Sequence, residues 1–123
     1  MNILLVAVGG AIGATARYLL GGWIQSWVGS SFPWGTLVIN VSGSLIIGLV
    51  LGLVDRGTLS SQARLFLAVE LLGGYTTFST FSYEDIQMVQ SGDYGSLLIY
   101  EVTHLGLGLL AANFGLIMAR VII

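Results

Sequence analysis

Cysteine and lysine are both missing from this 123-residue chain, and proline and histidine each occur once. Without cysteine there is no disulfide, no thiolate metal site and no thiol nucleophile, and the redox compartment is left undetermined. A single histidine with no cysteine cannot build a conventional zinc site. The only cations are Arg17, Arg56, Arg64 and Arg120, so no polybasic segment exists to bind nucleic acid or anionic lipid. No glycine-rich phosphate loop with its lysine occurs, and no Ser/His/acid set stands out for nucleophilic catalysis. Charge of either sign is scarce: Asp, Glu, Lys and Arg make up 8% of the residues, against roughly 25% in a typical soluble domain. A soluble fold with so few charges would expose apolar patches well beyond the few hundred Å² that soluble monomers tolerate.

What the chain has in abundance is apolar surface, with 55% hydrophobic residues and a mean hydropathy of +0.92. An integral membrane protein is the expected class. Apolar segments fall at about Ile3–Trp23, Trp34–Val54, Leu65–Met88 and Leu97–Ile122, each near or above the roughly 20 residues that cross a bilayer. The fold class expected is therefore an all-α membrane protein. Residues 1–123 would form a single four-helix transmembrane domain, with both termini on one side and no room for a separate catalytic domain. Ala14-Thr15-Ala16 after the first apolar run superficially matches a signal-peptide cleavage pattern, but no positive n-region precedes it. It is read as part of a retained first helix. Arg56, Arg64 and Arg120 lie on the side of the termini, a small excess that nominally places the termini inside.

Eighteen glycines would weaken soluble helices, yet in membranes small residues let helix backbones approach closely. Gly9 and Gly13, the series Ser44, Gly48 and Gly52, and Gly108 with Ala112 and Ala111 with Gly115 recur at four-residue spacing and are read as packing surfaces. The bundle is expected to be oligomeric, because four helices alone have little interior in which to shelter polar groups. Trp23, Trp27, Trp34, Tyr94 and Tyr100 cluster near the expected span ends, as interfacial aromatic belts do.

The polar residues inside the spans carry the functional argument. Thr36, Asn40 and Ser44 lie on one stripe of the second helix. A buried amide must find partners, either in interhelical hydrogen bonds or in an anion moving along a polar pathway. The third span holds Gly73-Gly74-Tyr75-Thr76-Thr77-Phe78-Ser79-Thr80-Phe81-Ser82-Tyr83-Glu84. Paired glycines followed by threonines and serines argue against an uninterrupted helix, so a break is expected between Gly73 and Thr77. Non-helical backbone at membrane depth is tolerated only where it is buried in protein or lines a cavity, and carbonyls freed there could coordinate a small cation. Past the break Phe78 and Phe81 stand three residues apart, while Thr77, Thr80, Phe81 and Glu84 share a face. Phenyl rings present positive edges, so rings, hydroxyls and an amide together could hold an anion without a formal positive charge. In the fourth span Tyr100 and His104 are one turn apart, Glu101 lies near the span's start, and Asn113 sits on another face as packing glue. Glu70 is expected to pair with Arg64 or reach the interface.

These segments resemble a known family, the CrcB/Fluc fluoride channels. The matching strings are Gly9 to Tyr18, Gly35 to Gly43 and, most specifically, Gly73 to Ser82 followed by Glu84. The resemblance covers essentially the whole chain. It implies an antiparallel, dual-topology homodimer of four-helix subunits with two fluoride pores, a broken third helix and a structural sodium ion on the dimer axis. By match to the motif, Asn40, Phe78 and Phe81 would line each pore, with rings from both subunits. Ser79 and Thr80 would supply hydroxyls, and Glu84, Tyr100 and His104 would belong to the polar pathway. Gly73 and Thr76 would give the backbone carbonyls for Na⁺, and Arg17 would sit at an aqueous vestibule. Two positions depart from the family pattern: Glu70 stands where Gly or another small residue is expected, and His104 where small hydroxyl residues are common.

The implied function is passive, fluoride-selective export across a bacterial inner membrane and hence fluoride resistance, with fluoride, membrane lipid and a second copy of the chain as partners. Fluoride is small and strongly hydrated, so replacing its water takes several donors held close together. The main rival is a small proton-coupled multidrug exporter. Such exporters resemble one another in a carboxylate within the first span, and this first span contains no Asp or Glu. A non-transporting assembly subunit would leave the Asn, Thr, Ser and Phe cluster without a reason.

Overall fold

The structure, a computed structural model, describes residues 2–122 and is helical throughout them apart from short connections. Helix α1 spans Asn2–Val28 and α2 spans Trp34–Asp55. Pro33 stands immediately before α2, where its missing N–H deprives the helix of no bond. Gly57, with a φ of 75°, supplies the left-handed turn beyond α2 that a side chain would resist. Ser60 opens the next helical stretch by accepting the Ala63 N–H at 3.2 Å, an N-cap.

That stretch is assembled from pieces. Helix α3 (Ser61–Arg64) runs into a π-helical segment, Leu65–Leu71, then α4 (Leu72–Tyr75). Thr76 and Thr77 are extended, with ψ of 158° and 120°, before α5 resumes over Phe78–Ser91. Helix α5 closes at Gly92, where the Asp93 N–H reaches the Met88 carbonyl at 2.9 Å, a glycine-terminated cap. Asp93 Oδ1 then accepts the Ser96 N–H at 3.2 Å to open α6, Tyr94–Ile122.

Three helices are long and apolar enough to cross a membrane: Ile3–Val28, Trp34–Asp55 and Tyr94–Ile122. The first extends past the Trp23 boundary read from the sequence, because the polar Gln25-Ser26 step still keeps helical geometry. The α2–α6 pair forms the most extensive helix contact. Its basis is the small-residue stripe: a methyl added at Gly48 would collide with the Ala112 carbonyl, and one at Gly115 with the Leu45 carbonyl. Helix α1 packs instead on the π-helical segment and α4, where a methyl at Gly13 would meet the Leu71 carbonyl.

Two apolar clusters hold the bundle. Val50, Ala68 and Leu72 join α2 to the helical run before the break, while Leu37, Met88 and Tyr100 join α2, α5 and α6. Much of the remaining apolar surface of α1 and α6 faces outward, as Leu19, Trp27, Leu105 and Leu109 do. Two side chains singled out in the sequence have these surroundings among the described residues. Glu70 is half-buried with its Cβ against Gly9 and makes no ion pair with Arg64, which stands six positions away, beyond the three- or four-residue spacing at which helical side chains meet. Asn113, expected as packing glue, is exposed beside a shallow groove between α2 and α6.

Candidate functional site

The interruption at Thr76 and Thr77 leaves main-chain groups that need partners, and α2 supplies them. Asn40 Oδ1 accepts the Thr77 N–H at 2.9 Å, and Asn40 Nδ2 donates to the Thr77 carbonyl at 3.1 Å. One side-chain amide thus pairs with both polar groups of a single extended residue, as a neighbouring strand would. Nδ2 also lies 3.1 Å from His104 Nε2 on α6, so Asn40 ties three elements together at one point.

Thr77 caps α5 through its side chain: Oγ1 accepts the Thr80 N–H at 3.2 Å and contacts the Thr80 and Ser79 hydroxyls at 3.2 and 3.3 Å. An N-cap threonine with hydroxyls in the first turn leaves the positive end of the helix dipole at this point. On the other side of the break the carbonyl end of the helix is left open. The N–H groups that a continuous helix would give to the Gly73 and Thr76 carbonyls are those of Thr77 and Thr80, and they go to Asn40 Oδ1 and Thr77 Oγ1 instead. Arg17 crosses from α1 and donates Nε to the Gly74 carbonyl at 3.1 Å.

A polar chain continues along α5 and α6. Glu84 accepts the Thr36 hydroxyl at 3.0 Å on one oxygen and the Tyr100 hydroxyl at 2.6 Å on the other. Tyr100 is completely buried. Its ring meets that of His104 edge-on at a centroid distance of 4.5 Å, and Phe81 lies 4.2 Å from His104 and 5.2 Å from Tyr100. Phe78 is 5.9 Å from Phe81 and remains 79% exposed.

Two open cavities meet at this centre. One, of about 710 Å³, is lined by Arg17, Thr36, Thr77, Thr80 and Glu84 among others; the second, of about 600 Å³, by Asn40, Gly73, Thr76, Thr77, Phe78, Phe81 and His104 among others. Thr77 lines both, so the Asn40–Thr77 junction is the partition between a polar antechamber and an aromatic cleft. Of the residues selected from the sequence, Asn40, Phe78, Phe81, Thr80, Glu84, Tyr100 and His104 form one connected neighbourhood. Ser79 touches it only through its hydroxyl contact with Thr77, and is exposed and lines neither cavity. Arg17 lines the antechamber as well as holding the break. Among the described residues two buried polar atoms lack a hydrogen-bond partner, Asp85 Oδ1 and His104 Nδ1.

The same segments are decisive in comparison with known proteins. The family described as CrcB-like protein, Camphor Resistance (CrcB), matches residues 4–116. The chain belongs to the CrcB family. A relative from Thermus thermophilus, named fluoride-specific ion channel FluC, is 54% identical over 112 residues, which cover 91% of this chain and 88% of the relative. Proteins of the same name from Nitrobacter winogradskyi and Roseiflexus sp. are 47% and 46% identical, over 98% and 99% of this chain and 96% and 99% of their own lengths. These named relatives are ion channels, not enzymes.

Within this CrcB-family chain, sequence reasoning missed Thr77 as the hub of the site and Arg17 as a brace for the break. Thr77 had a detectable signal, since threonine is among the residues favoured at a helix N-cap and it follows the expected break directly. The Arg17–Gly74 bond had none, as it spans 57 positions.

Proposed function

We propose that this chain is a fluoride-selective passive ion channel of a bacterial inner membrane, acting as an antiparallel homodimer with two pores. The observation that carries the reading is the junction of Asn40, Thr77 and the capped start of α5 with the Phe78–Phe81 pair. Anion stabilisation here comes from neutral donors and oriented dipoles: the α5 N-terminus, the Asn40 amide, the Thr80 hydroxyl and phenyl edges. Donors without formal charge suit conduction, which needs binding favourable enough to enter and weak enough to leave. Arg17, in the antechamber, raises the local anion concentration at the mouth.

The composite run Ser61–Ser91 serves as the fourth membrane span, and its break lines the two cavities, one of the settings in which non-helical backbone is tolerated at membrane depth. A second copy completes the pore. Phe78, largely exposed on one subunit, is the ring that the partner's site would receive, and the outward apolar faces of α1 and α6 meet lipid or that second copy. Gly73 and Thr76 fit a structural Na⁺, because both carbonyls have lost their helical donors and hard cations prefer oxygen ligands. Such an ion would tie the two subunits together without taking part in permeation.

Flow is driven by the fluoride gradient and the membrane potential, so an interior-negative cell loses fluoride that entered as neutral HF. The test is fluoride efflux from liposomes holding the purified protein, read by a fluoride electrode with a potassium ionophore clamping voltage and chloride-loaded vesicles alongside. Rapid fluoride release with negligible chloride release is expected; no fluoride release from folded protein would overturn the proposal.

A further inference from the structure

Helix α2 holds the break at Thr76 and Thr77 by a second polar contact, on the side opposite to Asn40. Ser42 Oγ carries one hydrogen and gives it to the Ile39 carbonyl at 3.1 Å. The Tyr75 hydroxyl, 3.0 Å from the same oxygen, is therefore the donor in the Ser42–Tyr75 bond. Tyr75 is the last residue of α4, and its ring packs on the Val50, Ala68 and Leu72 cluster. Gly43 lets the two segments lie this close: a methyl there would strike the Thr76 side chain and press on the Tyr75 ring at 3.3 Å.

A peptide unit is a rigid plane, so a bond to one of its atoms fixes the direction of the others. The Thr77 N–H, held by Asn40 Oδ1 at 2.9 Å, shares its plane with the Thr76 carbonyl and aims that carbonyl away from Asn40. On the α4 side the Thr76 N–H stays on the Leu72 carbonyl at 2.9 Å, and the Gly74 carbonyl takes the Arg17 Nε–H. The two sides meet at the Cα of Thr76, where the backbone is extended with ψ of 158°. How the Gly73 carbonyl stands relative to the Thr76 carbonyl thus depends on how α4 and the start of α5 are each seated on α2. Asn40 seats the α5 side and Ser42 the α4 side. Gly73 and Thr76 both line the aromatic cleft.

We propose that Tyr75 and Ser42 are positioning residues for the sodium site: their hydroxyl bond sets the spacing of the Gly73 and Thr76 carbonyls without either side chain touching the ion. The proposal rests on the Na⁺ reading above and names the side chains that tune it. Without the bond the ring stays packed, but the end of α4 gains freedom to shift along α2. Ordering the carbonyl pair then opposes ion binding, whereas a preorganised pair avoids that cost.

The test follows the thermal unfolding midpoint of the detergent-solubilised protein as NaCl replaces N-methyl-D-glucamine chloride at constant ionic strength. An ion that binds only the folded state raises the midpoint by mass action, and the rise gives its dissociation constant. Tyr75→Phe, which keeps the ring, should raise that constant about two- to tenfold, the size of one net hydrogen bond. Ser42→Ala should do the same, and the double variant should bind no more weakly than either single one, because all three lack the same bond. Gly48→Ala, overpacked at the α2–α6 contact, provides the comparison: a lower midpoint at every Na⁺ concentration with the wild-type sodium constant. If Tyr75→Phe and Ser42→Ala also lower the midpoint with that constant unchanged, or if their effects on it multiply in the double variant, the positioning role is overturned and the sodium site stands. A wild-type midpoint indifferent to Na⁺ would overturn the sodium reading and this proposal together.

Discussion

Asn40 and Thr77, 37 positions apart in the chain, pair through two antiparallel hydrogen bonds of 2.9 and 3.1 Å. The amide of one helix thereby replaces the main-chain partners that Thr77 loses where its own helix is interrupted. Asn40→Asp keeps the shape and removes the donor, setting an oxygen against the Thr77 carbonyl. Leaving such a buried group unsatisfied costs about 1–3 kcal/mol. Fluoride efflux from liposomes is expected to fall on the order of 10-fold to 100-fold, with a lowered midpoint of thermal unfolding in detergent.

Phe81 contacts both Tyr100 and His104 through its ring. Phe81→Ile keeps apolar bulk but discards the positive ring edge. Fluoride release should be abolished while size-exclusion elution and helix content stay as in the wild type. Full fluoride release from the variant would remove the aromatic ring from the permeation argument.

The Tyr100 hydroxyl gives Glu84 its shortest hydrogen bond, 2.6 Å. In Tyr100→Phe the carboxylate keeps only the Thr36 hydroxyl. Because hydrogen bonds to charged groups are worth about 1.5–3 kcal/mol, thermal stability should drop measurably, and fluoride flux should slow. Glu84→Gln, which weakens the same bond without removing the tyrosine hydroxyl, should show a smaller loss in both assays.

Gly48 and Gly106 separate close packing from open surface. A methyl at Gly48 would run into the Ala112 carbonyl, whereas nothing lies within 4 Å of one at Gly106. Gly48→Ala should destabilise the protein by about 1–3 kcal/mol, as overpacked sites do. Gly106→Ala should change the unfolding midpoint little, or raise it slightly through better helix propensity.

Glu70 distinguishes a channel from a proton-coupled exporter. It lies in the π-helical segment against α1 and lines neither cavity. Glu70→Gln is expected to leave fluoride efflux within about twofold of wild type, since substitutions away from key contacts cost under about 0.5 kcal/mol. A collapse of transport, together with a requirement for a pH gradient, would revive the exporter reading.

Composition alone established the membrane class, because 8% charge cannot cover a water-facing fold, and hydrophobic length located the three long spans. Paired glycines and clustered hydroxyl residues disfavour a continuous helix by local physics, and Thr76 and Thr77 are extended. The glycine stripes announced close packing, though only the fold showed that the α2 stripe meets α6. Pairings of distant polar groups were beyond local reasoning: Arg17 with Gly74, Thr36 with Glu84, and Asn40 with Thr77 and His104 depend on how helices lie against one another. The π-helical winding of Leu65–Leu71 likewise left no mark on periodicity. Residue types determine which groups need partners, since an amide or a carboxylate in an apolar surrounding is costly unless bonded. Only tertiary packing decides which partner each one finds, because hydrogen bonds require atoms about 3 Å apart, and sequence spacing does not encode distances between helices.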